Sequence, residues 1–108
     1  MSSARVLDAA RWVVDEVSAL IDEFPRMRDR DQMIRSSASI AANIREGNGR
    51  RPGPERNVFF RHARASAEET DEHLYANCRQ GRIPAARFWR IHNRIATIVK
   101  MLNKMMGE

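Results

Sequence analysis

This chain of 108 residues has only one cysteine, few glycines and prolines, and no long apolar run. Its one cysteine, Cys78, permits no intrachain disulfide, which fits a reduced compartment. No stretch approaches the ~20 apolar residues of a membrane span, and the N-terminus has no signal-peptide run. The five glycines and four prolines leave long stretches free of both, which favours helices. We expect a cytoplasmic, helical protein with a single domain over residues 1–108.

Lysine is scarce too, because every basic residue except Lys100 and Lys104 is an arginine. The charge is also unevenly distributed. Residues 1–25 hold two basic and five acidic residues, residues 26–64 hold ten and four, and residues 65–108 hold seven and five. The planar arginine side chain suits phosphate and carboxylate groups. The middle of the chain therefore indicates an anionic partner, although a GC-rich genome would also raise the arginine content.

Apolar residues at spacings of three and four predict four helices, at about 3–23, 29–49, 55–80 and 84–106. Ser2 or Ser3 can cap the first helix and Pro25 ends it, while Gly47 and Gly49 can act as C-caps of the second. The residues predicted to face inward on the first and fourth helices are Val6, Ala10, Val13, Val17, Leu20, Ile21, Phe24, Phe88, Ile91, Ile95, Ile98, Val99, Leu102 and Met106. Three short connections predict an antiparallel, up-down-up-down four-helix bundle.

The second and third helices have smaller and more polar inward residues. The predicted inward positions are Met33, Ser37, Ile40, Ile44, Phe59, Ala63, Ser66, Thr70, Leu74 and Asn77. No charged residue lies between Ser36 and Ile44, whereas a solvated helix face normally carries charge. We therefore predict that a second surface of this helix, at Ala38, Ser39 and Ala42, meets another subunit. The alternative is an exposed face that merely has little charge.

Polar groups inside a bundle need hydrogen-bond partners. We expect Ser36, Asn43 and Ser66 to bond with one another or with backbone carbonyls. Arg35, Glu46 and Glu69 are candidates for a buried or half-buried charge network. Such a network seldom adds stability over an apolar core, but it can define which helix faces dock.

The residues of helices two and three resemble a known family. The pattern "FP", then "Q…RSSxSIxxNIxEGxGR" and "F…AxxSxxET", is similar to that of the four-helix-bundle proteins encoded within intervening sequences of bacterial 23S ribosomal RNA genes. The accessory protein of diversity-generating retroelements looks like a relative. The matching positions are Phe24, Pro25, Gln32, Arg35, Ser36, Ser39, Ile40, Asn43, Ile44, Glu46, Gly47, Gly49, Arg50, Phe59, Ala63, Ser66, Glu69 and Thr70.

This resemblance implies an antiparallel bundle assembled as a homopentameric ring. In the retroelement relative it implies a basic surface that binds a reverse transcriptase and nucleic acid. Two positions depart from the family pattern, because Arg45 stands where alanine is usual and Ala65 where glycine is usual. Ala65 should alter packing only locally, whereas Arg45 adds a cation that would change an interface or a binding surface.

Patterns for catalysis and metal binding are missing. A di-iron bundle needs Glu-x-x-His on two helices, but Thr70 stands three residues before His73, and the second helix has no histidine. His62, Glu69 and His73 lie along one helix and would make only a weak metal site. Cys78 has no base near it in the sequence, and "GNGRRPG" lacks the spacing of a phosphate-binding loop. We predict a non-enzymatic protein without a metal or cofactor.

Two arginine clusters are candidates for binding an anion. The first surrounds the second loop and the outer face of helix three, at Arg45, Arg50, Arg51, Arg56, Arg61 and Arg64. The second is a row on helix four, at Arg87, Arg90 and Arg94. Few aromatic side chains are available for base stacking, namely Trp12, Tyr75 and Trp89.

We predict that the first cluster binds structured RNA, or duplex DNA, by shape and charge. Two alternatives stay open. The arginines form ordinary ion pairs on solvated faces, which add little stability. Otherwise, the oligomer is a scaffold whose arginines meet an acidic protein partner without nucleic acid.

Overall fold

The computed structural model describes residues 3–108, and the capping predicted for Ser2 or Ser3 concerns side chains outside that description. Four helices are present, and the described chain has no strand: α1 (Ser3–Glu23), α2 (Arg30–Asn48), α3 (Pro54–Arg79) and α4 (Ala85–Met106). The all-α prediction and its four helices are therefore confirmed. No helix in the described range is both long and apolar enough to cross a membrane.

The helices pack as an elongated bundle of 42 × 21 × 18 Å. Each helix contacts its neighbours in the chain, and α1 also contacts α4. Ser36 of α2 meets Thr70 of α3, and Ser39 meets Ser66, so later positions of α2 face earlier positions of α3. This order brings the α1–α2 and α3–α4 loops to the same end of the bundle, where both contribute to one open cleft.

The core follows the predicted stripes of α1 and α4 closely, with three of their residues, Phe24, Val99 and Met106, only partly buried at its margin. On α3 the prediction was wrong at two positions. Phe60 and Ala67 are fully buried, whereas Phe59 and Ser66 are half-buried. Two adjacent phenylalanines fit a helical period almost equally well, so their neighbours on other helices decide which one enters the core.

The predicted glycine caps of α2 also need correction. Gly47 lies inside the helix and is buried. Gly49 does occupy the C-cap position, but its φ of −82° is a conformation open to any residue. Gly47 is required for a different reason, since a Cβ atom there would lie 2.4 Å from Cε1 of the Phe60 ring. The glycine allows α3 to place this ring directly against the backbone of α2.

The Gly47→Ala variant is therefore expected to lose stability despite the higher helix propensity of alanine. Phe60 is fully buried, so its ring can move away from the new methyl group only toward other core side chains. Overpacking of this kind costs about 1–3 kcal/mol of the free energy of unfolding. Urea unfolding monitored by circular dichroism measures the change.

Gly49→Ala is the matched control, because its Cβ would meet only two backbone oxygens, at the ordinary contact distances of 3.5 and 3.9 Å. It should keep or slightly raise the stability. Combining Gly47→Ala with Phe60→Leu should cost less than the sum of the two single changes, since the smaller side chain relieves the contact. Strict additivity would contradict the proposed clash.

Candidate nucleic-acid interface

Short polar side chains form a layer between α2 and α3. Ser36 Oγ lies 2.7 Å from Thr70 Oγ1, and Ser66 Oγ donates a hydrogen bond of 3.0 Å to Ser39 Oγ. Asn43 donates to both the backbone oxygen and Oγ of Ser39, at 2.9 and 3.0 Å. Ser39, predicted as an interface residue, therefore has its hydroxyl occupied inside the bundle. This layer pairs the buried hydroxyls that two closely packed helices would otherwise leave unsatisfied.

The charged network predicted beside this layer is absent from the described chain. Arg35 is exposed and forms no ion pair there. The Glu46 carboxylate is 55% exposed and pairs only with Arg50, 3.5 Å away and one turn later. The Glu69 carboxylate is 56% exposed and lies 3.7 Å from His73. Their positions on the outer faces of α2 and α3 keep these charges solvated, which avoids the cost of burying them.

Two of the six predicted RNA-binding arginines hold the bundle together. Arg56 donates from Nη2 to the backbone oxygen of Met105 at 2.7 Å, and its guanidinium lies 5.2 Å from the centre of the Phe60 ring. Arg64 donates from Nη1 to Asn103 Oδ1 and to Glu108 Oε1, each at 2.7 Å. Both side chains connect α3 to the C-terminal end of the chain. These bonds engage Nη2 of Arg56 and Nη1 of Arg64 inside the bundle, so an RNA phosphate would have to compete for them.

Arg50 has an intermediate role at the α2–α3 loop. Its guanidinium pairs with Glu46 and Glu55 and lies 4.7 Å from the centre of the Phe59 ring. The side chain is nevertheless 38% exposed. This stacking explains why Phe59 stays near the surface while Phe60 enters the core. An anion that approaches Arg50 would compete with two carboxylates.

Arg45, Arg51 and Arg61 are exposed, and none of them forms an ion pair or hydrogen bond through its side chain within residues 3–108. Arg51 lies in the α2–α3 loop and Arg61 on α3. Arg45 lies apart from both, because it lines a groove between α1 and α2. The six predicted arginines therefore fall into four groups. Arg51 and Arg61 are exposed without side-chain partners in the described chain, Arg50 is exposed but paired, Arg56 and Arg64 contact α4, and Arg45 lies beside the groove.

The helix-four row does not form a free cationic surface either. Arg90 donates from Nε and Nη2 to Glu16 Oε1 at 2.9 and 2.6 Å, and Arg87 donates to Glu23 Oε2 at 2.6 Å. The guanidiniums of Arg90 and Arg94 lie 5.5 and 4.6 Å from the Trp12 ring centre. These contacts join α4 to the acidic first helix. Trp12 is accordingly covered by cations instead of being available for base stacking.

The groove between α1 and α2 is shallow and measures about 250 Å³. Its lining is mostly apolar, with charged groups at Arg11, Asp15 and Arg45; the apolar residues are Leu7, Val14, Ala38, Ala41 and Ala42. Ala38 and Ala42, both predicted interface residues, are exposed here. Ala41 joins them in place of Ser39, which faces α3. We call this surface the α1–α2 groove.

A second basic region, which the sequence reasoning missed, lies at the end of the bundle where two loops meet. Arg26 and Arg82 line an open cleft with Phe24 and Ile83. Asn77, near the end of α3, holds the α1–α2 loop: its Oδ1 accepts from the Arg28 backbone N–H at 2.8 Å, and its Nδ2 donates to the Arg28 backbone oxygen at 3.1 Å. In the sequence, only the inward position predicted for Asn77 could have pointed to this region.

Histidines do not converge on a metal-type site in the described part of the chain, where no group of three or more His, Cys, Asp or Glu residues is arranged to hold an ion. His73 lies between Asp29 at 3.5 Å and Glu69 at 3.7 Å. Cys78 is half-buried against the core. His92, which the sequence reasoning did not consider, contacts Asp71 Oδ1 through Nδ1 at 2.8 Å.

The packing and the polar α2–α3 layer define a protein of the four-helix-bundle class. The model of the 23S rRNA-intervening sequence protein family matches residues 2–104, and the chain belongs to that family. This confirms the resemblance carried by the α2 and α3 motifs.

One similar solved structure is the crystal structure of a protein with unknown function from the S23 ribosomal protein family of Bacteroides thetaiotaomicron. It is 25% identical over the full length of both chains, with a TM-score of 0.83. No curated protein matches the chain.

Proposed function

We propose that this chain is a non-enzymatic, cytoplasmic protein that assembles into a homo-oligomer and binds structured RNA. The observation that carries the RNA proposal is the pair of unpartnered arginines, Arg51 and Arg61, in the most basic part of the chain. Arg50 beside them adds a partly neutralised third cation. Membership of a family named for an rRNA intervening sequence agrees with an RNA ligand, without showing one.

Assembly would make this modest surface effective. We propose that the antiparallel bundle forms a homopentameric ring, as the family resemblance implies, and that its subunits meet at the α1–α2 groove. The paired contacts between α2 and α3 support the antiparallel order, and the alanine-lined groove supplies an apolar face of small side chains. A ring repeats each free arginine around its axis, and the gain from phosphate contacts accumulates with their number. The relation to the retroelement accessory protein is part of the same proposal.

Binding of a labelled RNA hairpin across a salt series tests this function. The double variant Arg51→Glu/Arg61→Glu is expected to weaken binding about tenfold or more and to flatten the salt dependence, since phosphate contacts release counterions. Both side chains are exposed and unpaired within residues 3–108, so the fold should persist. Arg56 is left intact, because reversing it would test packing against Met105 instead. Heparin and duplex DNA serve as competitors.

The matched control is Arg5→Glu/Arg35→Glu, which makes the same charge change at two other exposed arginines without ion pairs in the described chain. An equal loss in this control would show that only the net charge matters. A loss confined to Arg26→Glu/Arg82→Glu would move the site to the opposite end of the bundle. Binding that vanishes at modest salt in every variant would favour a protein partner over RNA.

A further inference from the structure

The α3–α4 surface carries an exposed aromatic cluster that the proposed RNA-binding surface does not use. The Phe88 ring lies against the rings of Tyr75, Trp89 and His92, and Trp89 also lies against His92, with ring centres 5.1–5.8 Å apart. We call this group the aromatic platform. Within the platform Phe88 is buried, whereas Trp89 is 54% and Tyr75 49% exposed. Large rings this accessible are typical of surfaces that bind a partner.

The rest of the protein shows what its aromatic rings ordinarily contact. Four of its seven aromatic side chains have an arginine guanidinium 4.6–5.5 Å from the ring centre, namely Trp12, Phe24, Phe59 and Phe60. In the described chain, Tyr75 and Trp89 have no such cation although they are the most exposed of the seven. Their outer faces therefore remain open to a positively charged group.

The charges around the platform favour a cation as well. Glu68, Asp71, Glu72 and Tyr75 follow helical spacings of three and four, so they share one face of α3. Glu68 and Glu72 are exposed and have no ion pair within residues 3–108, while Asp71 contacts His92. Arg79, one turn beyond Tyr75, and Arg61 and Arg64, one to two turns before Glu68, are the cations on the same face. The carboxylates would repel RNA phosphates, so the part of this face from Glu68 to Tyr75 is unsuited to the ligand proposed for Arg51 and Arg61, which lie toward the other end of α3.

We propose that the aromatic platform binds an arginine side chain from a basic segment of a partner protein. The guanidinium stacks on the exposed face of Trp89 or Tyr75, and its N–H groups reach the Glu72 or Glu68 carboxylate. Arginine suits this arrangement better than lysine, because its planar group can stack and form paired hydrogen bonds at once. The protein as a whole has a net charge of +5 and would repel a basic segment. The attraction must therefore come from the carboxylates next to the platform, Glu68 and Glu72.

A short acetylated peptide of alternating arginine and glycine is the probe. Isothermal titration calorimetry at low salt should detect micromolar to millimolar binding, and Trp89→Ala should weaken it about five- to tenfold, as expected for a lost cation–π contact. Trp89→Phe should weaken it less, because a ring remains. Glu72→Gln should weaken it about threefold, whereas Asp8→Asn, an equal charge change on exposed α1, should not.

The same variants should keep the RNA affinity of the wild type, and Arg51→Glu/Arg61→Glu should keep the peptide affinity. Failure of one surface is thereby distinguished from failure of the other. Wild-type protein that does not bind the peptide, or Trp89→Ala and Trp89→Phe proteins that bind it as tightly as the wild type, would overturn the proposal. A loss of RNA binding in Trp89→Ala without a loss of peptide binding would assign the platform to nucleobases instead.

Discussion

Ala42→Arg is expected to reduce the mass of the proposed oligomer toward that of the 12.5 kDa protomer while the helices stay folded. Ala42 is exposed on α2 and lines the α1–α2 groove, so the bundle itself has room for the larger side chain. In an assembled ring the new cation would be buried against an apolar partner surface, beside Arg11, Asp15 and Arg45. A buried charge left without a partner costs about 3–5 kcal/mol at each contact, and pairing with Asp15 would reduce that cost. Light scattering after size-exclusion chromatography measures the mass.

Arginine is the better probe at this position than glutamate, because it meets one opposite charge in the groove, Asp15, whereas a glutamate would meet two, Arg11 and Arg45. Ala65→Arg, the same change at an exposed alanine of α3, is the matched control and should leave the mass unchanged. Circular dichroism establishes that both variants remain helical. Full assembly of Ala42→Arg would show that the α1–α2 groove is not the contact between subunits.

Asn77→Ala is expected to lower the free energy of unfolding by about 2–4 kcal/mol. Asn77 is 1% exposed, and its amide makes three hydrogen bonds: two to the backbone of Arg28 and one, of 2.8 Å, to the backbone oxygen of His73. Removing the amide leaves the Arg28 N–H and carbonyl without these partners, and a buried polar group left unsatisfied costs about 1–3 kcal/mol. Urea unfolding measures the total loss.

Hydrogen exchange at the Arg28 amide locates the effect of Asn77→Ala. Exchange there should accelerate toward the rate of an open loop, because Asn77 Oδ1 is the acceptor for this N–H. Asn93→Ala removes an exposed amide from α4 and should change the stability by less than about 0.5 kcal/mol. Wild-type stability in Asn77→Ala would mean that other contacts, such as that between Asp29 and His73, hold the α1–α2 loop.

Most of the fold could be predicted from local patterns. The apolar residues of α1 and α4 recur at helical spacing, and burial follows that period because each helix has one broad face toward the core. The ends of the helices could also be predicted from the sequence, because Pro25, Pro54 and Pro84 restrict the backbone there. The motif in α2 and α3 was long enough to identify the family.

The candidate site was less predictable, because the partner of an arginine depends on the opposite helix. The arginines at 51, 56, 61 and 64 look alike in sequence. In the structure, Arg56 meets a backbone oxygen of α4 and Arg64 meets Asn103 and Glu108, while the other two remain exposed. Arg56 and Arg64 contact residues about forty to fifty positions later in the chain, and such contacts cannot be predicted from the spacing of neighbouring residues.

The sequence by itself determined the four helices, the uncharged face of α2 and the family, because these follow from residue spacing and an extended motif. Only the tertiary structure decided that Phe60 instead of Phe59 enters the core, and that Ser39 faces α3 while Ala41 lines the groove. It also decided that Trp12 contacts arginines, whereas Trp89 has no such contact within residues 3–108. Helical periodicity places a side chain on a face of its own helix. The neighbouring helix then decides, through its size, charge and hydrogen-bonding groups, whether that side chain is buried, paired or free.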